Sequence, residues 1–431
     1  MNTPKDTAIR FLKDKSMHVD QIDPDAVLED FLSEMDLGLA GEKSSLAMIP
    51  TFITIDKTVP AFKPVVAIDA GGTNLRVATV VFDVDGNPTI SHLTKHKMPG
   101  SERELNKNEF FEKFVEFLLP FADKADAVGF CFSYPAEISP DRDGKLLAWT
   151  KEIKAPEVVG EFIGKSIFDR LEQKGYRRKF SFLNDTVAAL LAGKSVDFAQ
   201  KYGAYIGFIL GTGTNTAYIE HNRNITKCQD LDPEDSQAIN TESGNFSKCP
   251  RGPVDIEFDE STENRGQYMF EKMISGAYLG GLCLLALKKA AEKDLFSRGG
   301  TQWIESRAKL STVEVDGILR EPTRGIARSV GAMSAEDKGL VRHLCTGICE
   351  RAALFAALNV SAAVLKSSGG KSAIQPVCVN IDGSVYYKIK GFSRMVEGYL
   401  DGILGPRGIS YELIRVNDSP LIGAAAAGLM C

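Results

Sequence analysis

The sequence predicts an α/β protein of two lobes, each built on a mixed sheet, flanking a cleft. Three observations predict it. A strand–turn–strand unit, VVAIDAGGTNLRVATVV, runs from Val65 to Val81, with apolar β-branched residues on both sides of the turn Ala70-Gly71-Gly72-Thr73-Asn74. A second unit of the same layout follows, in which Ala204 to Leu210 and Thr216 to Ile219 flank the turn Gly211-Thr212-Gly213-Thr214-Asn215. The first unit continues as a third strand, a helix and a fourth strand, the order of a mixed sheet with one helical crossover. A chain of 431 residues is also too long for a single hydrophobic core.

In chain order, helices are expected over Thr7 to Lys15 and Pro24 to Leu37, with Asp23 as N-cap of the second and Gly38 as its end. Ser44 to Ile53 leads, past Pro60 and Pro64, into the opening strand. Asp85-Gly86 signals a turn before a strand at Thr89 to Lys95. Asn108 to Phe121 has helical periodicity, with Phe110, Phe111, Phe114, Phe117 and Leu118 on one face. Ala127 to Phe132 reads as a buried strand, Val158 to Gln173 as a helix, and Lys179 to Leu183 as a strand. A helix then starts near Thr186. Asp232 to Asp259 is polar and loop-like, and Tyr268 to Glu292 is helical but interrupted by Gly276, Gly280 and Gly281. Ser334 to Asp337 has capping-box spacing and opens a long helix to about Lys366. Strands are expected at Val377 to Ile381 and Leu413 to Val416, and GAAAAGLM opens a final helix.

A net charge of -6 disfavours a nucleic-acid or anionic-membrane partner, since either calls for a basic face. The first residues lack the apolar stretch of a signal peptide, and no later apolar run reads as long enough to span a bilayer. The eight cysteines are scattered singly except for Cys345 and Cys349 on one helix face, a pattern of reduced thiols in a cytoplasmic protein. Neither that pair, which reads as buried, nor the five histidines make metal-ligand spacing.

The chemistry gathers at strand ends. Asp69 with the Gly71-Gly72-Thr73 turn makes a candidate metal–phosphate corner, because glycines let backbone N–H groups approach a ligand closely. Alone, this turn reads equally well as an ordinary capped hairpin. Gly211 to Thr214 makes a second phosphate corner, with the Thr212 hydroxyl as a donor. The small residues Gly423 to Ala427 would admit an anion or a flat base to a helix start. Between the lobes lie Ser133, Thr150, Lys151, Asn184, Asp185, Asn215, Glu242 and Glu271. Singly, each is more often a turn or surface residue than a ligand. Together they are rich in carboxylates and amides and poor in fixed positive charge, the set that suits a neutral polyhydroxylated ligand.

Over nearly its whole length the chain resembles the hexokinase family of sugar kinases. The resemblance rests on IDAGGTNLRV (Ile68 to Val77), LGTGTNTAYIE (Leu210 to Glu220), FSYP (Phe132 to Pro135), WTK (Trp149 to Lys151), LNDTV (Leu183 to Val187) and INTESGNF (Ile239 to Phe246). FEKMISGAYLG (Phe270 to Gly280), NIDGSVY (Asn380 to Tyr386) and SSLAMIP (Ser44 to Pro50) match as well. It implies the actin-like ATPase (ribonuclease H-like) fold. The expected division is a small lobe of residues 65–185 with a C-terminal helix at 422–431, and a large lobe of residues 1–64 and 186–421.

The resemblance also implies roles. Asp185 is then the general base on a sugar 6-hydroxyl, and Lys151 offsets charge near the transferred group. Ser133, Thr150, Lys151, Asn184, Asp185, Asn215, Glu242 and Glu271 bind the sugar. Asp69, Gly71, Gly72, Thr73, Asn74, Gly211, Thr212, Gly213, Thr214 and Gly423 surround the nucleotide phosphates, with Asp69 holding Mg2+ through water. ATP and Mg2+ are the implied cofactors, and the partners are a hexose and Mg-ATP in a monomer or dimer.

Two departures stand out. Ser243 replaces the family's usual Trp after Glu242, with Asn245 and Ser247 in place of small residues beside it. Asp418-Ser419-Pro420-Leu421-Ile422 replaces a small Gly/Ser-rich turn. Two other readings use the same residues: a kinase of an N-acetylated or keto sugar, and a nucleotide-binding regulatory protein without catalysis.

Overall fold

The computed structural model of the chain describes residues 3–54, 58–149, 153–197, 201–320 and 333–430. Its strands are, in chain order, β1 (Ile49–Thr54), β2 (Val65–Gly71), β3 (Asn74–Phe82), β4 (Pro88–Lys97), β5 (Ala127–Phe132), β6 (Ala136–Ile138), β7 (Gly144–Leu146), β8 (Lys179–Leu183), β9 (Ala204–Leu210), β10 (Thr214–His221), β11 (Ser236–Asn240), β12 (Val377–Asp382) and β13 (Tyr411–Ile414). One large sheet has the order β4-β3-β2-β5-β8, the other β1-β11-β10-β9-β12-β13, and β6 and β7 form a separate antiparallel pair. Numbered from its own first strand, each sheet runs third, second, first, fourth, fifth, with β1 added at the edge of the second. The pairing repeats too. β2/β3 and β9/β10 are antiparallel hairpins, while β2/β5/β8 and β9/β12/β13 are parallel. Both sheets are mixed and duplicated, as the two strand–turn–strand units predict.

Alternation along each opening strand supplies different cores, because successive side chains leave a strand on opposite faces. Val66, Ile68 and Ala70 of β2 pack with Phe110, Phe114, Phe130 and Ile167. Val65 and Ala67 join Leu190, Leu191 and the alanines of the last helix, Ser419–Leu429. In the second sheet Ile206, Phe208 and Leu210 face the long helix Ala335–Lys366, while Tyr205 points the other way. The helix Asp185–Ser195 and the last helix thus lie in a layer between the two sheets. Glycines set how closely this layer packs. A Cβ on Gly207 would sit 2.3 Å from the Thr186 carbonyl oxygen, and one on Gly129 would sit 1.7 Å from that of Ala424.

Caps follow the sequence. Asp23 accepts from the N–H of Asp25 and Ala26, and Ser334 and Asp337 form the reciprocal capping box. Several expectations need correction. The second helix does not end at Gly38 but runs Pro24–Ala40, with Gly41 (φ 75°) as its left-handed cap. Gly38 is there because a Cβ would meet the Leu46 carbonyl and Met48 at 2.5 Å. The helix expected from Val158 begins at Ile163, since Gly160 takes φ +87° and Phe162 is extended. The polar stretch Asp232 to Asp259 holds a fully buried strand, β11, and a helix, Pro253–Glu260. Gln237 escapes a burial penalty by donating to Asn222 at 2.8 Å. The last helix starts at Ser419, not at Gly423.

By length and composition the helix Ala335–Lys366 could cross a membrane, contrary to expectation. However, 89% of its most apolar window is buried in the fold, which accounts for the composition as core packing. Seven of the cysteines fall among the described residues; all are free, and Cys345 and Cys349 are buried as expected.

Candidate active site

The first turn is a two-residue hairpin closed by the pair Gly71 and Asn74. Gly72 supplies the left-handed conformation (φ 69°), and Thr73 and Asn74 are exposed at the tip. Asp69 is two residues back on β2, buried, and directly opposite Arg76 on β3. The guanidinium clamps that carboxylate through Nε (2.9 Å) and Nη2 (2.7 Å) while its Nη1 reaches Asp418 at 2.6 Å. Arg76 is the fixed cation missing from the sequence reading. Hairpin symmetry about the turn places it opposite Asp69, so the signal was present. Ser133 follows β5 and donates its N–H to the Ala70 carbonyl at 3.1 Å, and the Tyr134 hydroxyl donates to the Gly72 carbonyl. The FSYP segment is therefore fastened to the first turn.

The second turn is built differently. Leu210 pairs with Thr214, leaving Gly211, Thr212 and Gly213 as the loop, and neither glycine takes a positive φ. Gly213 is required by crowding instead: a Cβ there would sit 2.6 Å from Oε2 of Glu271. The same oxygen accepts the Thr214 N–H at 2.9 Å. The carbonyls of Gly211 and Thr212 accept from Gly276 and Ala277, while the Thr212 side chain is exposed.

Asn184 caps the helix Asp185–Ser195 by accepting the Thr186 N–H at 2.9 Å, which makes Asp185 the first helical residue. A carboxylate is favoured there by the helix dipole. Across from it lies an amide–carboxylate cluster. Asn240 donates to Glu242 Oε1 at 2.8 Å, and Asn215 donates to Asn240 Oδ1 at 2.6 Å and reaches the same Glu242 oxygen at 3.5 Å. Asn240, at the end of β11, was not singled out because its stretch read as loop. A small cavity opens here, lined in part by Phe132, Tyr134, Asn184, Asn240 and Glu242.

Electrostatics tie these groups together. Burial pushes the Glu271 carboxyl up to about 7, with the Glu242 charge adding to the rise and the Thr214 N–H opposing it. Burial raises Glu242 as well, and the charge of Asp185 adds to that. The Cys131 thiol is raised mainly by burial, then by the charges of Asp69 and Asp185. Asp185 therefore acts on both the Glu242 side and the Asp69 side.

Among the expected site residues, Asp69, Ser133, Asn184, Asp185, Asn215, Glu242 and Glu271 stand at strand or helix ends. Thr150 and Lys151 lie outside the described residues. Gly423 does not stand at a helix start. It is buried inside the last helix, where a Cβ would sit 1.9 Å from the Ala188 carbonyl oxygen, so it serves helix packing and offers no N–H to an anion. Pro420 also removes one N–H from the first turn of that helix, and Leu421 and Ile422 donate to Asp418.

Among the described residues no group of three or more His, Cys, Asp or Glu forms a metal cage. A single carboxylate, Asp69, still fits Mg2+, which commonly keeps its water and takes its other ligands from substrate phosphates.

Two family models described as hexokinase match the chain, over residues 10–195 and 205–430. Hexokinase-2 of Candida albicans is 31% identical, with 93% of this chain and 87% of that protein covered. Hexokinase-1 of Saccharomyces cerevisiae is 30% identical with the same coverage. The structure of the Schistosoma mansoni hexokinase complexed with glucose matches with a TM-score of 0.81 at 25% identity, covering 100% of both chains.

Proposed function

The chain belongs to the hexokinase family, and from that premise we propose that it transfers the γ-phosphoryl group of Mg-ATP to the 6-hydroxyl of a hexose, glucose first and mannose or fructose next. The observation that carries this reading is the position of Asp185. It heads a helix with its charge felt at Glu242 on one side and, beside Asp69, at Cys131 on the other. A general base for this reaction must stand between the acceptor hydroxyl and the donor phosphates.

In the proposed reaction Asp185 takes the hydroxyl proton as the sugar oxygen bonds to the γ-phosphorus. The bond from that phosphorus to the β–γ bridging oxygen breaks, and ADP leaves. Glu242, Glu271, Asn215, Asn184 and Ser133 accept and donate hydrogen bonds to the remaining hydroxyls, fixing the attacking oxygen in place. Arg76 holds the Asp69 carboxylate in place through two guanidinium nitrogens. Asp69 would hold Mg2+ through water, and the ion would there supply neutralisation of phosphate charge. Glucose in the S. mansoni relative supports the choice of sugar. We divide the lobes as first expected, because β2, β3, β4, β5 and β8 lie within residues 65–185 and form one sheet.

ATP consumption against a panel of hexoses, for the wild type and Asp185→Ala, tests the reading. Hexose-dependent consumption that falls at least about a hundredfold in kcat, with little change in hexose KM, is expected for loss of a general base. ATP binding with no response to any hexose would overturn it.

A further inference from the structure

Behind Glu242 lies a closed ring of three hydrogen bonds among buried side chains. Thr216 Oγ1 donates to Asn359 Oδ1 (2.9 Å), Asn359 Nδ2 donates to Ser243 Oγ (3.0 Å), and Ser243 Oγ donates back to Thr216 Oγ1 (3.3 Å). Their exposures are 0%, 3% and 1%, so water does not compete for these groups. Thr216 is on β10 and Asn359 is deep in the long helix Ala335–Lys366, while Ser243 directly follows Glu242.

Glu242 itself is strained. It takes a left-handed conformation (φ 56°, ψ 44°), which costs a residue bearing a Cβ and persists only where the surroundings over-determine it. Both of its neighbours are tied to the same residue. Thr241 donates its N–H (3.0 Å) and its hydroxyl (2.8 Å) to the Thr216 carbonyl. Ser243 bonds the Thr216 hydroxyl through its side chain and donates its N–H to Asn215 Oδ1 at 3.3 Å. Asn215 Oδ1 in turn accepts the Thr216 N–H at 2.7 Å. Thr216 and Asn359 thus act as a splint for the carboxylate loop without lying among the groups that face the cleft.

We propose that Asn359 is a positioning residue for Glu242, and that the Thr216–Asn359–Ser243 ring sets how well that carboxylate recognises the hexose. The inference rests on the reading of Glu242 as an acceptor for sugar hydroxyls. Replacing one member leaves the other two buried without a full set of partners, a penalty large enough to displace the loop. The base, Asp185, is on another helix and outside the ring, so the chemical step is spared.

The test compares steady-state kinetics of the wild type with Asn359→Leu, Ser243→Ala and the double variant Asn359→Leu/Ser243→Ala, using glucose and mannose with Mg-ATP. The expected result is a hexose KM raised about tenfold to a hundredfold, with kcat and the KM for ATP within about threefold of wild type, the range for orphaning a buried polar group. The two single losses should not add in the double variant, because they break one ring. A purely structural role would instead lower the active fraction, and with it kcat, at constant KM. That outcome, or an unmoved hexose KM, overturns the proposal. If Asn359→Leu does not fold, Ser243→Ala and Thr216→Val give the same readout. A wild type that responds to no hexose sinks the functional reading and the proposal with it, whereas a responsive wild type with unmoved variants sinks the proposal alone.

Discussion

The backbone N–H of Thr214 donates to Oε2 of Glu271 at 2.9 Å, so a carboxylate assigned to the sugar also braces the turn assigned to phosphate. The two halves of the cleft share an atom. Whatever changes the charge of Glu271 is therefore felt on both sides.

Its pH dependence follows. With the carboxyl pushed up to about 7 from an ordinary 4.5, Glu271 gains a proton as pH falls from 8 to 6 and can then no longer accept hydrogen bonds at both oxygens. Hexose KM should rise over that interval and stay flatter in Glu271→Gln. Stability of the unligated protein moves the opposite way to hexose affinity. A carboxyl raised in the folded state contributes stability that is fully present below its unfolded value of 4.5 and is lost as pH rises through 7. Melting temperatures with and without hexose between pH 5 and 8 should show the two trends crossing. Parallel trends would refute the assignment.

The Arg76 clamp separates into a strong half and a weak half. Asp69 is buried and held by two guanidinium nitrogens, so Arg76→Met should cost ~2 kcal/mol of stability and raise the KM for ATP by about tenfold. The Asp418 side chain is 47% exposed, and Asp418→Asn should cost less than ~1 kcal/mol. Denaturant unfolding and ATP titration of the two variants check both. Equal effects would mean that Asp418 matters as much as Asp69.

Gly423 and Gly398 make a matched pair. Gly423→Ala drives a Cβ to 1.9 Å from the Ala188 carbonyl oxygen and must force two crossing helices apart, at ~3 kcal/mol or more. Gly398 lies mid-helix in Phe392–Leu404 with nothing within 4 Å of a Cβ, so Gly398→Ala should stabilise by ~0.5–1 kcal/mol. A stable Gly423→Ala protein would show that the last helix can shift without loss.

Local pattern made some elements legible and hid others. β8 and β9 match their expected spans residue for residue, because an apolar run bounded by Asn-Asp or Gly-Thr leaves little choice. Ser334 announced the long helix through its capping box. β11 escaped notice because Ser236, Gln237 and Asn240 are polar yet buried, each satisfied by a partner distant in sequence, His221, Asn222 and Asn215. At the site, Asp185 was legible from the strand end before it. Arg76 was marked by the hairpin register opposite Asp69 and passed over, whereas the role of Asn240 comes from neighbours visible only in three dimensions. Gly423 was misread as an anion contact for a similar reason, as a small residue in a sequence does not say what approaches it.

The edge strand β1 carries a consequence for synthesis. Pro50 pairs with Ile239 and, among the described residues, β1 pairs with no strand but β11, so it leaves the ribosome long before β11 exists to receive it. All of the first sheet is translated in the interval. Until then β1 is an open edge with unpaired backbone groups, the kind of segment that seeds mispairing between nascent chains. Nascent chains that stop short of Asn240 should depend on chaperones and aggregate at β1, and that dependence should end once β11 has emerged.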